Sequence, residues 1–174
     1  MLKFITSKDI YNQVVLARIP ESDKFVWIAT SHVKDLYVKK PGRMVPFLEI
    51  LSDLAGRKVE IRLLHAREPG PAFRRDFDKY PLLITGVERV LCPRVHFKSV
   101  IIDGAFAYTG SANLTGAGMG AKSENRRNFE AGIITDDNAL VKQVMGQFDE
   151  VWRGVHCRQC ARKQFCADYK DILT

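Results

Sequence analysis

Between residues 96 and 113 the chain sets His96, Lys98, Ser111 and Asn113 around a short apolar stretch able to fold back on itself. Val100-Ile101-Ile102 precedes Asp103-Gly104, and residues 105–108 follow. This pattern predicts two strands joined by a two-residue turn, because Asp-Gly tolerates the positive φ angles such a turn needs. On that register Ile102 faces Ala105, Lys98 faces Thr109 and His96 faces Ser111. Alternation then puts His96, Lys98, Ser111 and Asn113 on one face, with Asp103 at the turn and of opposite parity, a structural position. An imidazole can attack phosphorus or carry a proton near neutral pH, and a neighbouring ammonium can neutralise the non-bridging oxygens of a phosphoryl group. Ser111 and Asn113 add neutral hydrogen-bonding groups. The set suits a phosphodiester.

His96-x-Lys98, then Asp103, then Gly110-Ser111-x-Asn113 resembles the HKD motif of the phospholipase D superfamily at every defining position. The resemblance implies a phospholipase D-like sandwich and attack by histidine on phosphorus to give a phosphohistidine, with no catalytic metal ion required. A second histidine, from another motif copy, would protonate the leaving oxygen. It further implies His96 as nucleophile or acid, Lys98 and Asn113 as ligands of phosphate oxygens, Ser111 as a supporting hydrogen bond, and Gly110 and Asp103 as structural motif positions. Residues 128–134 resemble the family strand whose glutamate orients the histidine ring, which implies that role for Glu130.

Only one motif is complete. His65 and His156 lack the following lysine, and His32-Val33-Lys34 is a fragment, with Lys39 where the motif aspartate would stand. His32 follows an apolar run and could still reach the site from a strand end. The second histidine is therefore expected from a second chain, in a homodimer whose twofold axis passes through one composite site.

At 174 residues and 46% hydrophobic content, the chain can bury one substantial core. It contains no apolar stretch of membrane-spanning length and no apolar start of the secretory type, so a cytoplasmic protein is expected. The excess of 27 basic over 20 acidic residues favours a polyanionic partner. A nuclease acting on DNA or RNA is thus the leading expectation, reinforced by the resemblance to endonuclease-like members with a single motif. The alternative is a phospholipid or cardiolipin phosphodiesterase at a membrane surface, although no interfacial helix stands out. A nucleic-acid-binding module with a dead site is disfavoured by the intact motif.

The elements that must carry these residues follow from hydrophobic spacing. Helices are expected over 7–17, 44–54, 73–79 and 138–152, and strands over 24–30, 59–64 and 87–91, then the motif hairpin and a strand that includes Glu130. This alternation predicts an α/β fold with a mixed β-sheet flanked by helices on both faces. A catalytic domain over 1–155 would be followed by a short Cys-rich C-terminal tail, 156–174, packed upon it. The glycine-rich segment 115–122 reads as a flexible flap beside the site, followed by positive charge at Lys122, Arg126 and Arg127. Phe73, Tyr80 and Tyr108 are candidate platforms for base stacking.

All four cysteines are unevenly placed. Cys157-x-x-Cys160 is followed by Cys166 after five residues, and Cys92 lies just before the motif. In a reducing compartment this grouping favours metal ligation over disulfides. Four thiolates complete a tetrahedral zinc site and would also hold a [4Fe-4S] cluster; zinc is placed first as the usual structural staple. His156 is an alternative fourth ligand to Cys92.

Overall fold

The continuous apolar run at residues 25–29, and Ile61, Leu63 and Leu64 around Arg62, suit strands flanked on both sides, and both strands lie inside the sheet. The computed structural model describes residues 1–34 and 36–169. Its main sheet contains β1 (Leu2–Thr6), β2 (Phe25–Thr30), β5 (Glu60–His65), β6 (Val87–Leu91), β7 (Lys98–Ile102), β8 (Phe106–Gly110) and β9 (Ala131–Thr135), in the order β1-β9-β8-β7-β2-β5-β6. Strands β2, β5 and β6 are parallel, whereas β7 runs antiparallel to β2 and the meander continues through β8 and β9 to β1. A separate hairpin joins β3 (Tyr37–Lys40) to β4 (Arg43–Pro46).

Two apolar cores result. On one face, helix α1 (Lys8–Ile10), its π-helical continuation Tyr11–Leu16, α2 (Phe47–Gly56) and the β3–β4 hairpin cover Val26, Ile28, Ile61, Leu63, Val100, Ile102, Phe106 and Tyr108. Short helices α3 (Pro71–Phe77) and α4 (Leu82–Gly86) complete the crossover from β5 to β6. On the opposite face α5 (Asn138–Trp152) buries Val141 and Phe148 against Ala29, Leu64, Ile101 and Ala107. Phe148 stacks on Trp27 and Trp152 at 5.2 and 5.6 Å between centroids. The mixed sheet with helices on both faces is therefore the observed architecture. Strand β1, the β3–β4 hairpin and α4 were not expected from the spacing. The last five residues of the tail, Lys170 among them, lie outside the described residues.

The motif hairpin differs from the expected register. Asp103 and Gly104 do form the turn, with φ of 55° and 67° and a 3.0 Å bond from Ala105 N to Ile102 O. Ala105, however, is left out of the ladder, which resumes at Ile102↔Phe106 and runs to Lys98↔Gly110. This one-residue bulge puts Phe106 and Tyr108 on the same face as Val100 and Ile102, inside the core. The simple two-residue register would have paired Ile102 with Ala105 and sent both aromatic rings to the other side. Lys98 accordingly faces Gly110, not Thr109, and the shared face assigned to Lys98 and Ser111 does not exist.

Segment 115–122 is also unlike the expected flap. Met119 is buried in the core, Met119 N donates to Thr115 O at 2.9 Å, and Asn128 N donates to Ala117 O at 3.0 Å. Gly120, at φ 79°, lies so close to Ser7 that a Cβ would meet its backbone. The glycines serve close packing, not motion.

Asp103 anchors the hairpin tip. Its carboxylate accepts from Asp23 N, Lys24 N and Phe25 N at 3.0, 2.8 and 2.9 Å, tying the turn to the start of β2. Burial raises its pKa, but the three N–H donors outweigh that and hold it below the ordinary aspartate value. In Asp103→Asn an amide N–H would face these donors, so stability at neutral pH should fall by about 2 kcal/mol. A depressed folded-state pKa gives stability that is present above the unfolded value and lost as pH falls through the folded one. Denaturant titrations should therefore show the gap between wild type and variant closing as pH drops below the usual carboxylate range.

Candidate active site

The carboxyl ends of parallel strands β2 and β5 open onto a crevice, the usual ligand position in open α/β sheets, and β7 enters from its amino end at the same place. His96 stands exposed two residues before the first residue of β7, Lys98, which is 7% exposed. Lys98 Nζ donates to His96 O at 2.7 Å and lies 3.5 Å from His96 Nδ1. Burial carries the Lys98 ammonium below the ordinary lysine pKa, against an upward pull from Glu130.

The imidazole has a second neighbour that the sequence reading missed. Ser31 Oγ is 3.2 Å from His96 Nδ1 and 3.2 Å from Val95 O. A carbonyl can only accept, so the hydroxyl donates to Val95 O and Nδ1–H donates to Ser31 Oγ. The shorter of the Lys98 contacts is already satisfied at the backbone oxygen, which leaves the Nδ1–H tautomer and a lone pair on Nε2, the form a nucleophile needs.

Asn113 fixes the same corner from the other side. Its Oδ1 accepts from Ser31 N, His32 N and Thr30 Oγ1 at 3.1, 3.2 and 3.3 Å, while Leu114 N donates to Thr30 Oγ1 at 2.9 Å. With Oδ1 engaged, Nδ2 is the end of the amide that can face an anion. Ser111 and Glu130 form a separate pair: Ser111 Oγ donates to Glu130 Oε2 and accepts from Ala131 N at 3.1 Å. Glu130 Oε1 also accepts from Asn128 Nδ2 at 3.0 Å, so within this chain Glu130 braces Ser111 and Asn128, and the ring of His96 is held by Ser31. Gly110 faces Gly132 across the ladder, and a Cβ on Gly110 would come within 2.5 Å of Ala131 O and Tyr108 Oη. The buried Tyr108 ring occupies the space these glycines leave, and burial pushes its phenol up to about 12.

His96 and Asn113 open on a groove of about 500 Å³, walled by Ser31, His32, Arg67, Arg94 and Arg162. It adjoins a second depression of about 270 Å³ lined by His32, Lys34, Arg67 and Phe73. His32 thus shares the groove with His96; burial lowers its pKa, and the charges of Arg67, Lys34, Lys98 and His96 lower it further. His65, buried under the groove with its pKa lowered chiefly by burial, has Nδ1 2.9 Å from Arg67 O. Among the described residues, Lys122, Arg126 and Arg127 do not line this groove. Of the proposed stacking residues only Phe73 borders it; Tyr108 is in the core, and Tyr80 Oη donates to Glu49 at 3.4 Å. Ser31 and Arg67 were legible in principle, since both sit just past the carboxyl ends of buried parallel strands.

Behind the groove, Cys92, Cys157, Cys160, Cys166 and His156 line one cavity of about 270 Å³ between α5 and the tail. Cys166 Sγ lies 3.3 Å from Leu91 O, and Leu91 N donates to Asp168 at 2.7 Å. The Cys160 thiol is drawn below its ordinary pKa by the Arg162 backbone N–H and, against burial, by a hydrogen bond from Arg94. Burial raises that of Cys166, with the nearby Cys92 and Cys157 adding to the rise. Among the described residues no three His, Cys, Asp or Glu side chains stand together as a ready-made metal-binding group.

A mixed sheet presenting one His-x-Lys pair and a following Gly-Ser-x-Asn at its open end defines a phospholipase D-like protein. The family model described as "Cardiolipin synthase, PLD-like domain" matches residues 15–152, and the chain belongs to this family. Among solved structures it is similar to the phospholipase D family member Nuc from Salmonella typhimurium, with a TM-score of 0.65 and 15% identity over 88% of this chain and 94% of that one. It is also similar to NucT from Helicobacter pylori, with a TM-score of 0.64 and 16% identity over 88% and 97% of the two chains. A mitochondrial cardiolipin hydrolase from Xenopus tropicalis is 36% identical over 59 residues, which cover 34% of this chain and only 25% of that protein.

Ser31→Ala should free the ring of His96 while leaving the fold intact. Turnover of a generic diester, bis(4-nitrophenyl) phosphate, is expected to drop about tenfold, as when other orienting partners of functional histidines are removed, with an unchanged circular dichroism spectrum.

Proposed function

We propose that the protein is a nuclease, hydrolysing DNA or RNA phosphodiesters through a phosphohistidine on His96. The observation that carries this reading is the groove at His96, whose walls present Arg67, Arg94 and Arg162, with Lys34 and Phe73 in the adjoining depression. A phospholipid offers one phosphate, or two in cardiolipin, with no further repeat of charge. A nucleic-acid strand offers a phosphate at each step, which a row of guanidinium groups can track, and a base that Phe73 can stack.

In this mechanism Nε2 of His96 attacks phosphorus, forming the N–P bond as the P–O bond to the leaving group breaks. Lys98 and the Asn113 amide stabilise the charge on the non-bridging oxygens, and a second imidazole supplies the proton to the leaving oxygen. Water then attacks phosphorus, the N–P bond breaks, and that second imidazole takes up the water proton. The second imidazole is assigned to His96 of another copy of the chain. A surface suited to bring it there borders the site: Phe4, Leu2 and Phe129 are 68%, 63% and 102% exposed, and Phe129 adjoins Glu130. Phe4 also pairs with Ile133 on the open margin of the sheet. These apolar side chains are what a self-complementary interface buries.

Nucleic-acid cleavage that persists in chelator and disappears in His96→Ala, with no conversion of cardiolipin in vesicles to phosphatidic acid, is the expected result; the converse pattern would select the lipid reading. Lys98→Ala should also lower turnover by at least about 100-fold, the cost of removing one oxyanion donor. A composite site makes a further demand. When wild-type chain is co-expressed with excess His96→Ala, mixed dimers hold one imidazole, so activity per wild-type chain should collapse; a self-sufficient monomer would keep it constant. His32→Ala should retain most of the turnover, since its groove position does not make it the acid.

A further inference from the structure

We propose that Cys92, Cys157, Cys160 and Cys166 bind one zinc ion, and that this ion braces the rim of the groove that holds His96. The four sulfurs come from two separate segments yet line the same cavity. One segment is the link from β6 to His96, and the other is the tail after α5. The tail's only regular element among the described residues is the single turn Lys163–Phe165, Phe165 and Val155 are more than half exposed, and its contacts with the end of β6 centre on Leu91. No apolar side chain of residues 153–169 is buried, so a metal staple would supply order that packing does not. Cys160 N donates to Cys157 O at 3.0 Å, so the Cys-x-x-Cys pair is already folded into a turn.

Charge agrees with this assignment. Four thiolates around Zn²⁺ leave two negative charges, and the charges of Arg94 and Arg162 both act at Cys160. Arg94 already reaches Cys160. His156 also lines the cavity, but its Nε2 lies 3.4 Å from Glu150, which makes Cys92 the better fourth ligand. The sulfurs share a cavity without closing on one point, so binding draws the tail inward, and each thiol that ligates releases its proton to solvent.

The consequence for the groove follows from chain order. Arg94 lies between Cys92 and His96, and Arg162 lies between Cys160 and Cys166; both arginines line the groove. A four-thiolate centre therefore cross-links the two segments that carry these cations. This second clause rests on the nucleic-acid reading, whereas the metal itself does not.

The test begins with protein produced in medium containing both zinc and iron. Expected are one zinc per chain by elemental analysis, a colourless solution, and thiols that react with Ellman's reagent only after a strong chelator is added. Four thiols titrating at once with no stoichiometric metal would overturn the centre, and a brown protein with iron and acid-labile sulfide would overturn zinc as its occupant. Cys160→Ser should lose most of the zinc and expose residues 156–169 to protease, while Arg162→Ala should keep one zinc per chain. Against a fluorescent single-stranded oligonucleotide, both variants should bind more weakly, with the slope of log K against log salt reduced by about 1. Unchanged affinity and slope in zinc-depleted protein would overturn the bracing of the rim while the zinc content stands, and an absence of nuclease activity would leave the metal, thiol and protease readouts intact.

Discussion

The burial of Phe106 and Tyr108 with Val100 and Ile102 is the packing requirement on which the site depends. It forces Ala105 out of the ladder, sets Lys98 opposite Gly110, and so determines which polar groups meet beyond the strand ends. Because strand side chains alternate, a change of one residue in the register of β8 on β7 would turn Phe106 and Tyr108 out of that core. The bulge thus works as part of the catalytic geometry although it lies at the far end of the hairpin. Asp103 holds that end in place by accepting three backbone N–H groups from the start of β2, so the same neighbouring strand is clamped at its first residue by Asp103 and at its last by Asn113.

Those two clamps join unlike halves of the sheet. Strands β2, β5 and β6 are parallel and leave an open crevice at their carboxyl ends; β7, β8, β9 and β1 form an antiparallel meander that carries the motif. The Asn113 carboxamide spans the junction, and its three accepted bonds orient Ser31, which in turn orients His96. An imidazole on an exposed loop would otherwise lose its directed lone pair to ring rotation. Preorganisation of this kind is inexpensive, since the groups involved are backbone amides and one hydroxyl already present at the end of β2.

Much of this was legible from residue types alone. The Asp-Gly turn, the long amphipathic stripe of α5 and the apolar run of β2 each reflect one dominant local signal. The register was not, because the turn residues favour a two-residue loop and only the volume of Phe106 and Tyr108 in a core assembled from distant segments overrides them. Strand β1 was hidden for a different reason: Leu2 and Phe4 are exposed, so its pattern does not resemble a strand with one buried face. The segment at 115–122 was misread because glycine admits both motion and close approach, and only the neighbouring Ser7 backbone distinguishes them. Arg67, Arg94 and Arg162 are separated in sequence by other structural elements, and no spacing rule could have gathered them.

The electrostatics of the groove give the arrangement its direction. Lys98 is buried, its own hydrogen bond goes to a neutral carbonyl, and Arg67, Arg94 and Arg162 line the groove onto which His96 opens. Burial is the chief reason that the pKa values of both Lys98 and His32 are drawn down; at His32 the charges of Arg67, Lys34 and Lys98 add to it, while at Lys98 Glu130 pulls the other way. A phosphodiester bound in the groove would set its negative charge beside these cations, where desolvation makes each of them count for more. The carboxylate of Glu130, kept on Ser111 and Asn128, tempers the field at Lys98 without neutralising it.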